Sequence, residues 1–137
     1  MLLFSHLFLV VAFTLFSLAS ASSPISVTFS LHCRDGLLKD PKATVELWEY
    51  NYLSQHKYVT RLSGDVLADG KTKYTITGNA NNWWFQWDNY FLKIVHSCSE
   101  NCPKSVMSYV AVSQNMGELP IALSASNNYK DLYNRCV

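Results

Sequence analysis

Tyr90-Phe91-Leu92-Lys93-Ile94-Val95-His96-Ser97-Cys98 decides the fold of this chain. Tyr90, Leu92, Ile94, His96 and Cys98 fall on one side of an extended backbone, and Cys102 closes the segment. Alternation with period two marks a strand that buries one face. Two earlier stretches have the same character. Val27, Phe29, Leu31 and Cys33 alternate onto one face, with Pro41 beyond a polar loop, and Val45-Glu46-Leu47-Trp48-Glu49 forms a second run. Glu49 shares the parity of Val45 and Leu47, so it is expected to point inward near a strand end, paired with a lysine or capping backbone N–H groups.

Working outward, the same alternation recurs in Ile25–Cys33, Ala43–Tyr50, Lys57–Leu62, Thr72–Thr77, Tyr90–Ser97, Ser105–Val112 and Leu119–Ala125. Arg34-Asp35-Gly36, Lys39-Asp40-Pro41, Ser63-Gly64-Asp65, Asp69-Gly70 and Asn115-Met116-Gly117 separate the runs, and breaks of this kind read as hairpins and loops. About seven strands at this spacing, rich in Val, Ile, Tyr and Thr, predict an all-β chain folded as an antiparallel β-sandwich. Pro120 confines the last strand to an edge or delays its start. No window carries a helical stripe; any helix would be one or two turns in Asn79–Asn89. Composition alone allows an immunoglobulin-like topology equally well.

The three segments together resemble the nematode transthyretin-like family, whose pattern runs Leu-x-Cys, Pro, Leu-Trp-Glu, Gly, then Leu-x-Ile-x-His-x-Cys and a further Cys. Here these are Leu31 to Cys33, Pro41, Leu47 to Glu49, and Leu92 to Cys98 with Cys102; the likeness spans Ser26 to Ser126. It implies a transthyretin-like (prealbumin-like) sandwich, extracellular or on the cell surface, that binds rather than catalyses. The implied roles are carrying a small apolar ligand, or bridging surfaces and receptors through an extracellular protein or lipid.

Leu2 to Leu18 is almost wholly apolar and without an acidic residue, and Ala19-Ser20-Ala21 fits the small-x-small cleavage rule. Residues 1–21 therefore read as a signal peptide and 22–137 as one secreted domain. The alternative is an uncleaved anchor, for which the apolar run is barely long enough. About 116 residues make a single domain with a modest core, in which disulfides add useful stability. The formal net charge is +1, and the lysines and arginines form no basic stripe, which argues against nucleic acid as a partner.

All four cysteines, Cys33, Cys98, Cys102 and Cys136, lie in the mature region, and an even count in a secreted chain reads as two disulfides. Of the three pairings, the favoured one is Cys98–Cys102 across a hairpin base with Cys33–Cys136 tying down the tail. The rival joins Cys33 to Cys98 and Cys102 to Cys136.

His96, Cys98 and Cys102, with His32-Cys33, could be drawn as a zinc site, but the spacing is not that of a finger or ribbon and the thiols should be paired. His96 reads instead as a buried core-facing histidine bonded to backbone. No metal or cofactor is expected. Because transthyretin folds also serve as 5-hydroxyisourate hydrolases, His32 and His96, with Arg61 as the only central arginine, are the candidate catalytic set. The C-terminal Tyr-Arg-Gly-Ser of those enzymes is absent from Asn127 to Val137, and no acid–base set or nucleophile elbow replaces it.

The remaining oddity is Asn81-Asn82-Trp83-Trp84-Phe85-Gln86-Trp87-Asp88-Asn89, which holds three of the four tryptophans. Trp83, Phe85 and Trp87 could share a core-facing row. A strand rarely buries aromatics on both sides, so Trp84 should be exposed in part, and polar-flanked aromatics make good contact anchors. Trp83, Trp84 and Trp87 are the candidate binding residues.

Overall fold

The computed structural model describes residues 23–34, 42–52, 54–80, 90–98, 102, 105–113, 116–124 and 126–137. These form nine strands: β1 (Ser23–Cys33), β2 (Lys42–Glu49), β3 (Lys57–Arg61), β4 (Val66–Leu67), β5 (Asp69–Ala80), β6 (Tyr90–His96), β7 (Val106–Val112), β8 (Leu119–Leu123) and β9 (Arg135–Cys136). No helix occurs among the described residues. Each of the seven alternating runs overlaps one strand. The two additional strands, β4 and β9, are two residues long, too short for alternation to appear.

The strands make two sheets, one in the order β5-β1-β8 and one in the order β3-β2-β6-β7-β9, with β4 pairing β2. Their inner faces share one core. Ile25, Val27, Phe29 and Leu31 of β1, with Ile76, Ile121 and Leu123, meet Ala43, Val45 and Leu47 of β2 and Tyr90, Leu92 and Ile94 of β6. These are the rows that alternation placed inward, and each large apolar side chain so buried is worth ~1.5–3 kcal/mol. The first two strands lie in different sheets, whereas an immunoglobulin domain puts them in one.

One pairing corrects the antiparallel expectation. β1 is antiparallel to β5 but parallel to β8, in register from Phe29↔Leu119 to Cys33↔Leu123. The chain returns from β7 to the first sheet running in the direction of β1, and period-two alternation is silent about which way a neighbour runs. β8 has only β1 beside it among the described residues, so Pro120 sits in an edge strand as expected. Asp69-Gly70 is not an inter-strand break but a bulge within the β1–β5 ladder, where the register shifts between Ser30 and His32. Gly70 takes φ 71° there, and the Asp69 carboxylate accepts from Lys71 N, Thr72 N and Thr72 Oγ1. Those bonds hold its pKa down to about 2.

Along one side of the sandwich β5 approaches β3 so closely that a Cβ on Gly78 would lie 2.5 Å from Val59 Cγ1. A side chain there would have to displace Val59 and Thr60 where these two sheet edges meet.

The disulfides are Cys33–Cys98 and Cys102–Cys136, the rival pairing rather than the favoured Cys98–Cys102 with Cys33–Cys136. Cys33 ends the inward row of β1 and Cys98 continues the inward row of β6, so the two face each other across the sandwich. A bond from Cys98 to Cys102 would have required Cys98, 4% exposed, to turn out of the core. Cys136 lies opposite Val106 at the start of β7, within reach of Cys102. No helix of the described residues is long and apolar enough to cross a membrane.

Candidate functional site

Trp83, Trp84 and Trp87 lie outside the described residues, as do the proposed cleavage site and signal segment. Two other places gather chemistry-bearing side chains: the His96 network inside the sandwich and an aromatic face on the outside of the larger sheet.

His96 ends the inward row of β6 and is 1% exposed. Cys98 N donates to its Nδ1 at 3.1 Å, which assigns the neutral imidazole's proton to Nε2. Nε2 lies 2.8 Å from Ser108 Oγ and therefore donates to it, while the Ser108 hydroxyl donates onward to Ser124 O at 3.3 Å. A general base must accept the serine proton; here the histidine offers its own. Ser108 is itself fully buried. His32, the other histidine of the candidate catalytic set, is exposed in the opposite sheet, and Arg61 is exposed at the end of β3. These residues share no site. The network instead satisfies polar groups in the core and continues from Ser124 Oγ to Ser126 Oγ, with Ser124 N bonded to Asn127 Oδ1.

Burial pushes the His96 pKa down to about 4. In the unfolded chain it lies near 6.5. Between these values the unfolded state binds a proton that the native state refuses, so stability is full above pH ~6.5 and falls as the pH drops towards 4. The loss should be on the order of 2–3 kcal/mol. Urea unfolding followed from pH 7.5 to 4.5 is expected to show this slope, and His96→Gln to flatten it. An equal slope in both proteins would assign the pH dependence elsewhere.

The outer face is built by the opposite parity of the same strands. Trp48 of β2 and Phe91 of β6 lie opposite each other in register and stack with ring centroids 6.4 Å apart. Tyr109 of β7 meets Phe91 at 5.9 Å. Phe91, Tyr109 and Tyr50 are nonetheless buried, because the C-terminal segment crosses this face. Asn127 O accepts from Tyr109 N at 3.1 Å; Tyr129 and Leu132 exchange backbone hydrogen bonds and pack onto the rings. The β6 strand is therefore buried on both faces at Tyr90, Phe91 and Leu92.

At one flank of this face Trp48 Nε1 donates to Glu46 Oε2, Lys93 Nζ lies 3.4 Å from the same oxygen and 5.3 Å above the Trp48 ring, and Tyr58 meets Trp48 edge-on. Tyr58 is 45% exposed. At the other flank Tyr50 Oη donates to Asp131 Oδ1 at 2.6 Å, which drives the Tyr50 phenol up to about 12 and the Asp131 carboxyl down. His56 stacks on Tyr50, and Tyr52, 70% exposed, meets the same ring edge-on. Glu49 is buried on the inner face, and desolvation raises its pKa despite the attraction of Lys57 opposite it on β3. It is an interior carboxyl with a lysine neighbour, as its parity implied.

Sequence reasoning missed Tyr50, Tyr52, Tyr129 and Lys130 as members of a cluster. The available signal was Phe91, an aromatic on the outward parity between two core residues, which needed a cover from elsewhere in the chain. Comparison with protein-family models, curated proteins and solved structures finds no match to this chain.

Proposed function

We propose that this chain is a secreted transthyretin-like β-sandwich of the nematode transthyretin-like family, acting by binding rather than catalysis, with an extracellular protein, lipid or small apolar molecule as its partner. The observation that carries the binding reading is the outer aromatic face. Tyr58 projects at one flank beside half-buried Trp48 and the Lys93 charge, and Tyr52 projects at the other beside Tyr50. Exposed aromatics grouped with charge on a sheet face are the anchors that contact surfaces use. The family reading is supported by the placement of its motif residues. Leu47-Trp48-Glu49 pairs directly with Tyr90-Phe91-Leu92 in the middle of the larger sheet, and the motif's first cysteine bonds to Cys98.

The opposing class is a hydrolase. The purified protein is expected to leave the spontaneous decay of 5-hydroxyisourate unchanged, since Ser108 and His96 hold their protons in the wrong sense for base catalysis. An acceleration abolished by His96→Ala would overturn the binding reading. On the positive side, immobilised protein should retain partners from extracellular fluid, read by mass spectrometry of bound lipids and proteins. Tyr58→Ala with Lys93→Ala should reduce that retention in a protein that stays folded, its melting temperature lowered by no more than about 10 °C. Retention unaffected by the double substitution would remove the support this face gives.

A further inference from the structure

At the Tyr50 flank the aromatic face carries a cation that belongs to the chain itself. Lys130 Nζ lies 4.1 Å from the Tyr50 ring centroid, 4.3 Å from Tyr52 and 5.1 Å from Tyr129. All three distances are inside the ~6 Å over which a ring face attracts a cation. The rings stand as walls rather than a stack: Tyr50 meets Tyr52 at 78° and Tyr129 at 87°, with centroids 4.8 and 5.7 Å apart. Asp131 adds a carboxylate at the Tyr50 hydroxyl through the 2.6 Å hydrogen bond. Lys130 reaches this position from a backbone φ of 53°, the left-handed region that side-chain-bearing residues avoid. It is the one non-glycine residue with positive φ among those described. That φ belongs to the two-residue turn between Tyr129 and Leu132, and the turn sets the Lys130 charge among three rings.

We propose that Tyr50, Tyr52 and Tyr129, backed by Asp131, form a binding site for an alkylammonium cation, a quaternary or methylated amine, and that Lys130 fills it as an internal stand-in. This deepens the binding reading above, on which it rests, by naming a ligand class. A primary ammonium such as lysine's is strongly hydrated, whereas a methylated ammonium sheds its water more readily and presents methyl groups to the ring faces. Tethered in the same chain, Lys130 competes at an effective concentration in the millimolar range, so the native site should answer only to a better cation or a high local density of one. Such groups reach an extracellular protein as free amines or as lipid headgroups.

Lys130→Gly empties the box and suits the positive φ. Tetramethylammonium titrated into this variant, followed by calorimetry and by the proton resonance of its methyl groups, is expected to bind saturably at least tenfold tighter than to the native protein. Its methyl resonance should move upfield under the rings, and Tyr52→Ala, at an exposed position, should abolish both effects. Absence of saturable binding to a folded Lys130→Gly protein, or binding that survives Tyr52→Ala, overturns the proposal. Should Lys130→Gly not fold, Lys130→Asn tolerates the same φ and repeats the test. Phosphatidylcholine vesicles compared with phosphatidylglycerol vesicles then separate the sources: selective retention on the former points to a headgroup, binding of tetramethylammonium alone to a free amine. Tyr58 and Lys93 lie outside this box, so its failure would leave the capture experiment standing, and failure of that experiment would leave the box intact.

Discussion

Replacing Cys33 and Cys98 together by alanine is expected to remove up to about 4 kcal/mol of stability and lower the melting temperature by roughly 15 °C. The bond joins the end of β1 in one sheet to the chain leaving β6 in the other, across a sequence separation of 65 residues. Without it the unfolded chain regains the entropy of a long open loop, and the two inner faces lose their only covalent tie among the described residues. A domain of this size has ~5–15 kcal/mol to lose, so the change consumes a large share. Removing Cys102 and Cys136, 34 residues apart, should cost less and act locally, freeing the tail from β7 and exposing Tyr109. Thermal unfolding of both double variants checks the order. A Cys33/Cys98 variant that melts within a few degrees of the native protein would contradict it.

Phe91→Ala is expected to cost about 3–5 kcal/mol, the penalty of a deeply buried aromatic and the cavity it leaves. Were the outer face of β6 open to water, the same substitution would cost little. Phe91 is 2% exposed, enclosed by Trp48, Tyr109, His56 and Tyr129, so the outer face behaves as a second, smaller core beneath the C-terminal segment. Lys93→Ala, two residues along on the same face but only half-buried, should stay within about 1 kcal/mol. Urea unfolding of the two variants makes the comparison. Equal small effects would mean that Tyr129 and Leu132 do not cover the face in solution.

Much of the interior was legible in the sequence because period two is a physical consequence of the pleat. The inward rows through Val27, Phe29 and Leu31, through Val45 and Leu47, and through Tyr90 to Cys98 are the buried ones, and His96 sits among them as a neutral, backbone-bonded histidine. What alternation could not convey is partnership. It says which side of a strand is wet, assuming that one side is, and so it hid the double burial at Phe91. It carries no direction, and so it hid the parallel pairing of β1 with β8. The cysteine pairing was half visible: Cys33 and Cys98 share the inward parity, and that points to each other more strongly than the nearness of Cys102 along the chain. The candidate site was the least legible part, since Tyr50, Tyr52, Tyr129 and Lys130 converge only once the tail has crossed the sheet.

The order in which β1 meets its neighbours sets how this chain must fold. In the larger sheet β2 with β3 and β6 with β7 are hairpins between successive strands, closing over short loops within microseconds once their residues exist. The smaller sheet has no such shortcut. Its central strand is the first of the described strands to be synthesised, pairs with β5 only after β2, β3 and β4 have been made, and waits for β8, some ~90 residues later, or roughly 5–20 s at ribosomal speed. Until β5 is made, Val27, Phe29 and Leu31 have no partner strand, and until β8 is made the other edge of β1 stays open from Phe29 to Cys33, with loop-closure entropy opposing the contacts that would shield it. The larger sheet should therefore assemble first and act as the template against which β1 lies, with Cys33 meeting Cys98 near the end. The slow, exposed step belongs to the strand that ends at the centre of the smaller sheet.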